Sequence, residues 1–484
     1  MDALFVKHDR LIANTSTEIV RDMMNQVNWN SRLISIQGAK GVGKSTLLKQ
    51  FVKLNYKTAD RKVLYCSADT IDLSRMTLVE LAEQFVMNGG KRLIIDEIHK
   101  YDKWSREIKE IYDLYPELRV VVSGSSLLSL LAGDADLSRR CVKYTMHGLS
   151  LREALRFYEK IEFPIYKLED IIANPYEIWE QVSAKCKPIE QFKKYLRHGY
   201  YPFFLEDKED YYTKLEQVVN YVIEVELPMI CKVDVAYIRK IKALVGVISE
   251  SVPYELNANK LAAAIEIGRD TVVSYLKNLS DANLLNLLYS DNKSIGKLTK
   301  PDKVYLENTN LLYALSPSSV EIGTARETFA ITHLSKSHNV EYGKDKGDFK
   351  VDSRFHFEIG GKDKRFSQIA DIPDSYIFDD DIESPSGAKL PLWMLGFLDN
   401  ETRFFYFGIS FMILETAYNG FMHILLTSFS LLSSLFCNNA KFSNEQRIAS
   451  LICLFFINNR KLFILPLLPD LHSIGTTFML RTIM

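Results

Sequence analysis

A strand–loop–helix segment near the N-terminus limits the folds open to this chain. Residues 38–45 read Gly-Ala-Lys-Gly-Val-Gly-Lys-Ser, a complete phosphate-binding loop of the pattern G-x-x-x-x-G-K-[ST]. The apolar residues 33–36 before it predict a buried parallel strand, and residues 46–52 after it predict a helix. Because backbone N–H groups and a helix N-terminus both favour an anion, the segment predicts a site for a nucleoside triphosphate.

The residues of the loop have different roles in binding. The glycines let the backbone curl around a β-phosphate, Lys44 reaches the β- and γ-phosphate oxygens, and Ser45 can ligate Mg²⁺. The predicted cofactors are therefore ATP and Mg²⁺. The predicted cofactor-binding residues are Gly38, Gly41, Gly43, Lys44, Ser45 and Thr46.

Two further apolar strands are predicted to bring polar side chains to the same edge of the sheet. Residues 91–95 run into Asp96 and Glu97, and since side chains alternate along a strand, the two acids need different roles. We assign Asp96 to the Mg²⁺ shell and Glu97 to the attacking water. Residues 118–122 lead into a serine-rich turn, where Ser125 is a candidate γ-phosphate sensor or an ordinary turn residue.

These motifs, together with Arg139-Arg140 and residues 147–153, resemble a prokaryotic AAA-type P-loop ATPase family. The resemblance covers residues 1 to about 400. It implies an α/β fold with a parallel P-loop sheet, then a helical and winged-helix region, then an α/β domain like PD-(D/E)xK restriction endonucleases. Arg140 is a candidate catalytic arginine, and since such arginines often act across subunits, a homo-oligomer is a candidate assembly.

The predicted organisation has five parts, consistent with 484 residues being long for one core. Residues 195–204, rich in Tyr and Phe, resemble a signature of the same family and are expected to pack a helical lid onto the ATPase rather than to stack bases. The parts are an ATPase core at 1–150, a helical lid or linker at 151–245, a winged helix at 246–310, a nuclease-like domain at 311–400 and an apolar tail at 401–484.

Residues 255–306 have the rhythm of a helix-turn-helix with a wing. A short helix over 260–266 and a turn at 267–268 precede a second helix, on which Val272, Leu276 and Leu279 share the buried face. Strands are predicted at 284–289 and 303–306, with Lys293, Lys297 and Lys300 between them. The outward residues Arg269, Thr271, Ser274, Lys277 and Asn278 suit DNA, yet winged helices also dock proteins, so both partners stay open.

The C-terminal domain offers three carboxylates in the order that the nuclease resemblance implies: Glu327, Asp348 and Glu358. They are candidates for a second metal site. Strand period two places Gly360 where the family has a lysine, and Lys362 could substitute only on a regular strand. Gln368 and Tyr376 complete a nucleic-acid-binding face by resemblance. We therefore expect an inactive or purely binding nuclease fold, and Gly360→Lys as the change best able to raise cleavage.

The remaining features concern location and the tail. The N-terminus lacks the apolar core of a secretory signal and the six cysteines lack metal-like pairing, so a cytoplasmic protein with reduced thiols is predicted. Residues 401–484 contain only 10 charged residues and apolar runs shorter than the roughly 20 residues of a spanning helix. A frame-shifted or read-through appendage, a membrane-associated hairpin and a packed subdomain are the alternatives.

Two functions remain open from sequence. The first is an ATP-hydrolysing, nucleic-acid-associated ATPase. A net charge of −1 shows no global basicity, so any DNA contact needs a local patch. The second is an ATP-driven switch or scaffold that binds protein partners, in signalling or phage defence, with an inactive nuclease-like domain.

Overall fold

The computed structural model describes residues 1–398 except 58–59, 72, 128–136, 138, 251–253, 256, 291–299, 317–319, 362–363, 365–368 and 370. The predictions for the tail at 401–484, for Lys293 and Lys297, and for Lys362 and Gln368 lie outside the described residues. The described residues lie within one compact unit, Met1–Thr402.

The N-terminal part is built on a five-stranded sheet in which every neighbouring pair is parallel, in the order β2-β3-β4-β1-β5. This confirms the predicted α/β fold with a P-loop NTPase sheet. Because β1 lies between β4 and β5, the loop that follows it leaves the carboxyl edge of the sheet with a strand on either side. The strands are β1 Leu33–Gln37, β2 Val63–Ser67, β3 Arg92–Asp96, β4 Arg119–Gly124 and β5 Val142–Thr145.

Alternating side chains of this sheet fill two separate apolar clusters, one on each face. On β4, Val121 joins one cluster, whereas Val120 and Val122 join the other. Thr77 starts the fourth helix with a capping box closed by Glu80. The helices of this part are α1 Asp2–Ala13, α2 Met23–Gln26, α3 Lys44–Asn55, α4 Leu78–Met87 and α5 Trp104–Leu114.

A mostly helical region follows the sheet, as predicted for residues 151–245. Its aromatic stretch ends in the 3-10 segment Pro202–Leu205, and both Tyr200 and Tyr201 are buried. One long helix widens into a π-helical turn, Val222–Glu226, before it continues. The helices are α6 Leu151–Glu159, α7 Leu168–Ala173, α8 Pro175–Ser183, α9 Pro188–His198, α10 Tyr211–Tyr221, α11 Leu227–Cys231 and α12 Ile238–Glu250.

The helices and strands expected between 255 and 306 are present. Helices α13 Ala258–Ile265 and α14 Arg269–Asp281 flank the predicted turn, and Val272, Leu276 and Leu279 are buried as expected. A small antiparallel sheet of order β6-β8-β7 follows. Its strands are β6 Tyr254–Glu255, β7 Leu285–Leu288 and β8 Lys303–Leu306.

The last described part is a second α/β layer. Its mixed sheet has the order β13-β12-β11-β10-β9, antiparallel from β9 to β11 and parallel from β11 to β13. Helix α16 packs against β11 and α15. The elements are α15 Thr309–Leu315, α16 Ile322–Leu334, β9 Val340–Tyr342, β10 Phe349–Val351, β11 Phe355–Gly360, β12 Ser375–Asp379 and β13 Lys389–Pro391.

One apolar cluster runs through every part of the described chain. It includes Ile34 of the first sheet, Phe192 of the helical region, Val272 of the helix-turn-helix and Phe397 near the end. The predicted parts of the described chain thus share one apolar cluster, and the domain boundaries stay a prediction. In the described part of the chain, no helix has the length and apolarity needed to cross a membrane.

Candidate nucleotide-binding site

The phosphate-binding loop needs its glycines for conformation and for space. Gly43 has a φ of 101°, in the left-handed region that favours glycine, and directly precedes α3. A Cβ on Gly38 would lie 2.2 Å from the Met146 carbonyl oxygen. The loop therefore curves closely against the segment after β5, and Ser45 and Thr46 occupy the first turn of α3.

Lys44 lies buried beneath the loop. Its Nζ donates hydrogen bonds to the carbonyl oxygens of Gly38 at 2.8 Å and Ala39 at 2.9 Å. Burial lowers the pKa of the Lys44 ammonium, while the carboxylates of Asp96, Glu97 and Glu226 act in the opposite direction. The structure thus places Lys44 in the electric field of three acids.

Asp96 is the last residue of β3 and Glu97 follows it in a left-handed conformation, so the two carboxyl groups have different surroundings because the backbone leaves the strand between them. The Asp96 carboxylate is buried and accepts hydrogen bonds from the Tyr65 hydroxyl at 2.5 Å and from the Ser123 hydroxyl. Glu97 has a φ of 52° and is only partly buried. Desolvation raises the pKa of its carboxyl, against the lowering effect of Lys44.

Ser125 joins the site through both its side chain and its backbone. Its hydroxyl donates to Oε2 of Glu226 at 2.5 Å, and its N–H donates to Nδ1 of His99 at 3.3 Å. The other ring nitrogen of His99 lies 3.5 Å from Oε2 of Glu97. Burial lowers the pKa of His99 to about 4, so a neutral ring links Ser125 to Glu97.

The helical region covers this loop directly. A Cβ on Gly41 would lie 2.8 Å from the Phe203 ring, and one on Gly43 would lie 3.6 Å from Pro202. The Lys40 ammonium lies 3.7 Å from the centre of the Tyr221 ring, and Lys100 donates a hydrogen bond to the Tyr221 hydroxyl. The aromatic stretch therefore packs on the ATPase part, as expected from sequence.

Arg140 forms an ion pair with Asp113 of α5, with Nε and Oδ1 3.2 Å apart, and lies near the Tyr112 ring. Its catalytic role stays a prediction.

The three predicted nuclease-type acids converge, but lysines accompany them. Nζ of Lys303, from β8, lies 3.4 Å from Oε2 of Glu327 and 3.8 Å from Oδ1 of Asp348. The Tyr305 hydroxyl donates to Glu327 at 2.8 Å. Among the described residues, no group of three His, Cys, Asp or Glu side chains is arranged to hold a metal ion. The metal role of these acids stays a prediction.

Strand β11 has Gly360 at the position expected for a lysine, but a lysine from beyond the strand reaches the cluster. Lys364 folds back over Gly360, and its Nζ lies 2.5 Å from Oε1 of Glu358. A Cβ on Gly360 would lie 2.6 Å from Cγ of Lys364, so Gly360→Lys would displace the Lys364 side chain, whose ammonium pairs with Glu358. Tyr376 packs on Phe355 and Phe357 instead of standing free.

On α14, Arg269 and Lys277 are exposed, while Thr271, Ser274 and Asn278 are partly buried. Arg269 pairs with Asp270 at 3.0 Å, and Lys300 is exposed.

Sequence reasoning missed several residues of the nucleotide site. Tyr65 and Glu226 carried no motif, because their partners lie far along the chain: Glu226 is 101 residues from Ser125. His99 could have been found, since it lies on the turn just after Asp96 and Glu97.

Comparison with known sequences agrees with this geometry. The sequence model described as "AAA domain" matches residues 30–155, and one described as "Domain of unknown function (DUF8612)" matches residues 189–321. Residues 30–155 are thus an AAA-type ATPase domain, whose sheet and phosphate loop fit ATP binding.

Two similar proteins come from Methanocaldococcus jannaschii. Uncharacterized protein MJ1637 is 28% identical over 289 residues, covering 57% of this chain and 61% of that protein. Uncharacterized protein MJ1544 is 24% identical over 374 residues, covering 74% of this chain and 78% of that protein. The chain therefore spans about three fifths of the length of the first relative.

Solved structures with partial similarity include two nucleotide complexes. AMPPCP-bound DnaA from Aquifex aeolicus is 17% identical, with 57% of this chain and 86% of that chain covered and a TM-score of 0.22. The S. cerevisiae Hsp104–ADP complex is 15% identical, with 56% and 40% covered and a TM-score of 0.27.

Proposed function

We propose that this chain binds ATP with Mg²⁺ and hydrolyses the nucleotide. The observation that carries the proposal is the convergence of Lys44, Asp96 and Glu97 at the carboxyl edge of one parallel sheet. Gly38, Gly41, Gly43 and Lys44 bind the phosphates, together with the first turn of α3, Ser45 and Thr46.

The donor set fits a magnesium ion. Asp96 is a carboxylate held in place by Tyr65 and Ser123, and Ser45 offers a hydroxyl at the start of α3. The ion would neutralise charge on the β- and γ-phosphates. Glu97 would orient or deprotonate the attacking water, and its partial burial with a raised pKa suits a base.

We infer that the helix-turn-helix region is a winged helix that contacts nucleic acid through Arg269 and Lys277. Their exposure on α14 supports this, and Lys300 beside β8 adds positive charge. The experiment is the ATPase rate with and without single- and double-stranded DNA, together with DNA affinity at several salt concentrations. A steep salt dependence supports phosphate contacts.

The second candidate function is an ATP-driven switch that binds protein partners. It is supported by buried hydrogen bonds through which the helical region, which covers the phosphate loop, also holds the residues after β8. The Tyr200 hydroxyl donates to Glu307 at 2.5 Å, and the Asn310 amide oxygen accepts from the Tyr211 hydroxyl at 2.6 Å. No DNA affinity at low salt, with intact ATPase activity, would favour this function.

For the last domain we propose a PD-(D/E)xK-like fold without nuclease activity. A missing lysine no longer supports this, because Lys364 is present at Glu358. Instead, the Lys303 ammonium lies between Glu327 and Asp348, so it already neutralises part of the acid charge that would attract a divalent cation.

A further inference from the structure

The π-helical turn Val222–Glu226 brings a buried carboxylate from the helical region into the nucleotide site. Glu226 is only 3% exposed. Its neighbour Glu224, two residues earlier, faces outward and pairs with Lys242. The extra residue that a π-helical turn accommodates re-aims side chains relative to a regular helix, and such turns are frequent at functional sites.

The hydrogen bond of Glu226 occupies a hydroxyl that a bound γ-phosphate would need. Glu226 accepts the hydrogen bond of the Ser125 hydroxyl at 2.5 Å. Its negative charge acts on both Lys44 and His99. Ser125 is the candidate γ-phosphate sensor, so the Glu226 carboxylate and a γ-phosphate would use the same hydroxyl, in the field of the same Lys44 ammonium.

Charge makes joint occupancy unfavourable. Asp96 and Glu97 already place two carboxyl groups near Lys44, and a triphosphate adds several more negative charges. Like charges in a partly buried site repel more strongly than in water, because the effective dielectric constant there is lower.

We propose that Glu226 is an internal competitor for the γ-phosphate: its carboxylate holds Ser125 and leaves when a nucleoside triphosphate binds. The proposal rests on the function proposed above, because it requires the triphosphate to bind at Lys44. A diphosphate lacks the group that meets Ser125, so it displaces Glu226 much less.

The position of Glu226 gives its release a structural consequence. The π-helical turn directly follows α10, whose Tyr221 covers Lys40 and whose Tyr211 is hydrogen-bonded to Asn310. Moving Glu226 out of the site therefore disturbs a helix that connects the phosphate loop to the residues after β8. Binding of ATP, but not of ADP, would therefore change the conformation of that helix.

The test is nucleotide affinity of Glu226→Gln in the full chain, measured with AMPPCP and with ADP in Mg²⁺. Glutamine keeps the shape and removes the charge. We expect AMPPCP to bind about 5- to 150-fold more tightly, the usual range for coupling between sites, and ADP to change by much less. The matched control is Glu224→Gln on the same turn, which should leave both affinities unchanged.

A damaged fold cannot produce a gain in affinity, so an increase specific to AMPPCP supports the proposal. Unchanged or weaker AMPPCP binding by a folded Glu226→Gln chain overturns it. If that variant does not fold, amide hydrogen exchange of the unmodified chain decides. Residues 222–231 should exchange faster with AMPPCP than with ADP, and equal or slower exchange rejects the competitor.

Lys44→Ala separates this failure from failure of the proposed function. If Lys44→Ala binds AMPPCP as tightly as the parent, the nucleotide site itself is wrongly placed. If it loses binding while Glu226→Gln shows no gain, only the competitor proposal fails.

Discussion

At the residue scale, the proposed function assigns ground-state binding and chemistry to different side chains, Lys44 and Glu97. Lys44 is buried, is hydrogen-bonded to two carbonyl oxygens of the loop and lies in the field of three carboxylates, so in the proposed function it acts on phosphate charge whenever nucleotide is bound. Glu97 is partly exposed and held by a left-handed backbone conformation at the end of β3. The neutral His99 ring lies between Glu97 and the Ser125 backbone, which gives Glu97 a fixed neighbour.

Lys44→Ala should abolish tight ATP binding, whereas Glu97→Gln should keep binding and lower the hydrolysis rate by about 100-fold or more, the usual contribution of a general base. Nucleotide titration and steady-state hydrolysis of both variants are the measurements. Hydrolysis by Glu97→Gln at the parent rate would show that another residue acts on the water.

Tyr65→Phe should weaken the dependence of ATP binding on Mg²⁺ without preventing folding. The tyrosine hydroxyl holds Asp96 from β2, and phenylalanine retains the packing of the ring. The measurement is ATP affinity across a range of Mg²⁺ concentrations, with Tyr56→Phe, a partly exposed tyrosine, as control. An unchanged Mg²⁺ dependence would show either that Asp96 does not ligate the metal or that Tyr65 does not hold Asp96 in place.

At the element scale, two groups of charged residues have proposed roles that experiments can test. One is the exposed face of α14, and the other is the acid cluster beside β11. Helix α14 buries its apolar face as predicted and leaves two cations on the outside. The acid cluster combines α16, β10 and β11 with Lys303 from the small antiparallel sheet. The small antiparallel sheet and the C-terminal α/β layer are thus joined by ion pairs as well as by packing.

Replacing Arg269 and Lys277 together by Ala should weaken DNA binding and flatten its salt dependence, since each cation lost removes about one unit from the slope. ATP hydrolysis without DNA should not change. Affinity at four salt concentrations is the measurement. The same slope in the double variant and the parent would assign α14 to protein docking.

The unmodified chain should show little or no Mg²⁺-dependent nicking of supercoiled plasmid, with Asp348→Ala as the background control. Lys303→Met is the change that should expose the acids to a divalent cation, because it removes the ammonium between Glu327 and Asp348. Gly360→Lys should not help, since Lys364 already occupies that space. Strong nicking by the parent that Asp348→Ala abolishes would make this domain an active nuclease.

At the scale of the whole molecule, a buried polar network links the ATPase part to the C-terminal layer. Lys336 lies within it, fully enclosed, 5.2 Å from the Tyr200 ring centre and in the field of Glu307 and Glu153. Burial lowers the pKa of its ammonium to about 8. The unfolded chain therefore binds more protons than the folded chain between about pH 8 and the ordinary lysine pKa near 10.4.

The sign of this difference predicts that raising the pH above 8 increases the free energy of unfolding contributed by Lys336, by at most about 1.4 kcal/mol per pH unit. Lys336→Met lacks this dependence. The thermal midpoint of the parent, relative to that of Lys336→Met, should rise from pH 7.5 to pH 8.5 and again to pH 9.5. A constant difference across that range would show that Lys336 does not titrate there.

Sequence pattern was sufficient for the phosphate loop, for the strands carrying Asp96 and Ser125, and for the helices around residue 267, because each depends on local spacing that directly sets backbone conformation. Strand β5 was not predicted, since it is short and only partly buried. Gly360 was read correctly as a missing side chain, yet a lysine four residues later fills the space once the chain turns back.

Tertiary folding alone placed Glu226 on Ser125, Tyr65 on Asp96 and Lys303 between two acids. The physical reason is common to all three. A hydrogen bond or ion pair depends on distances of a few ångströms between groups that are 24 to 101 residues apart in the chain. No local spacing encodes such distances, because they result from how the sheet, the helical region and the C-terminal layer pack around one continuous core.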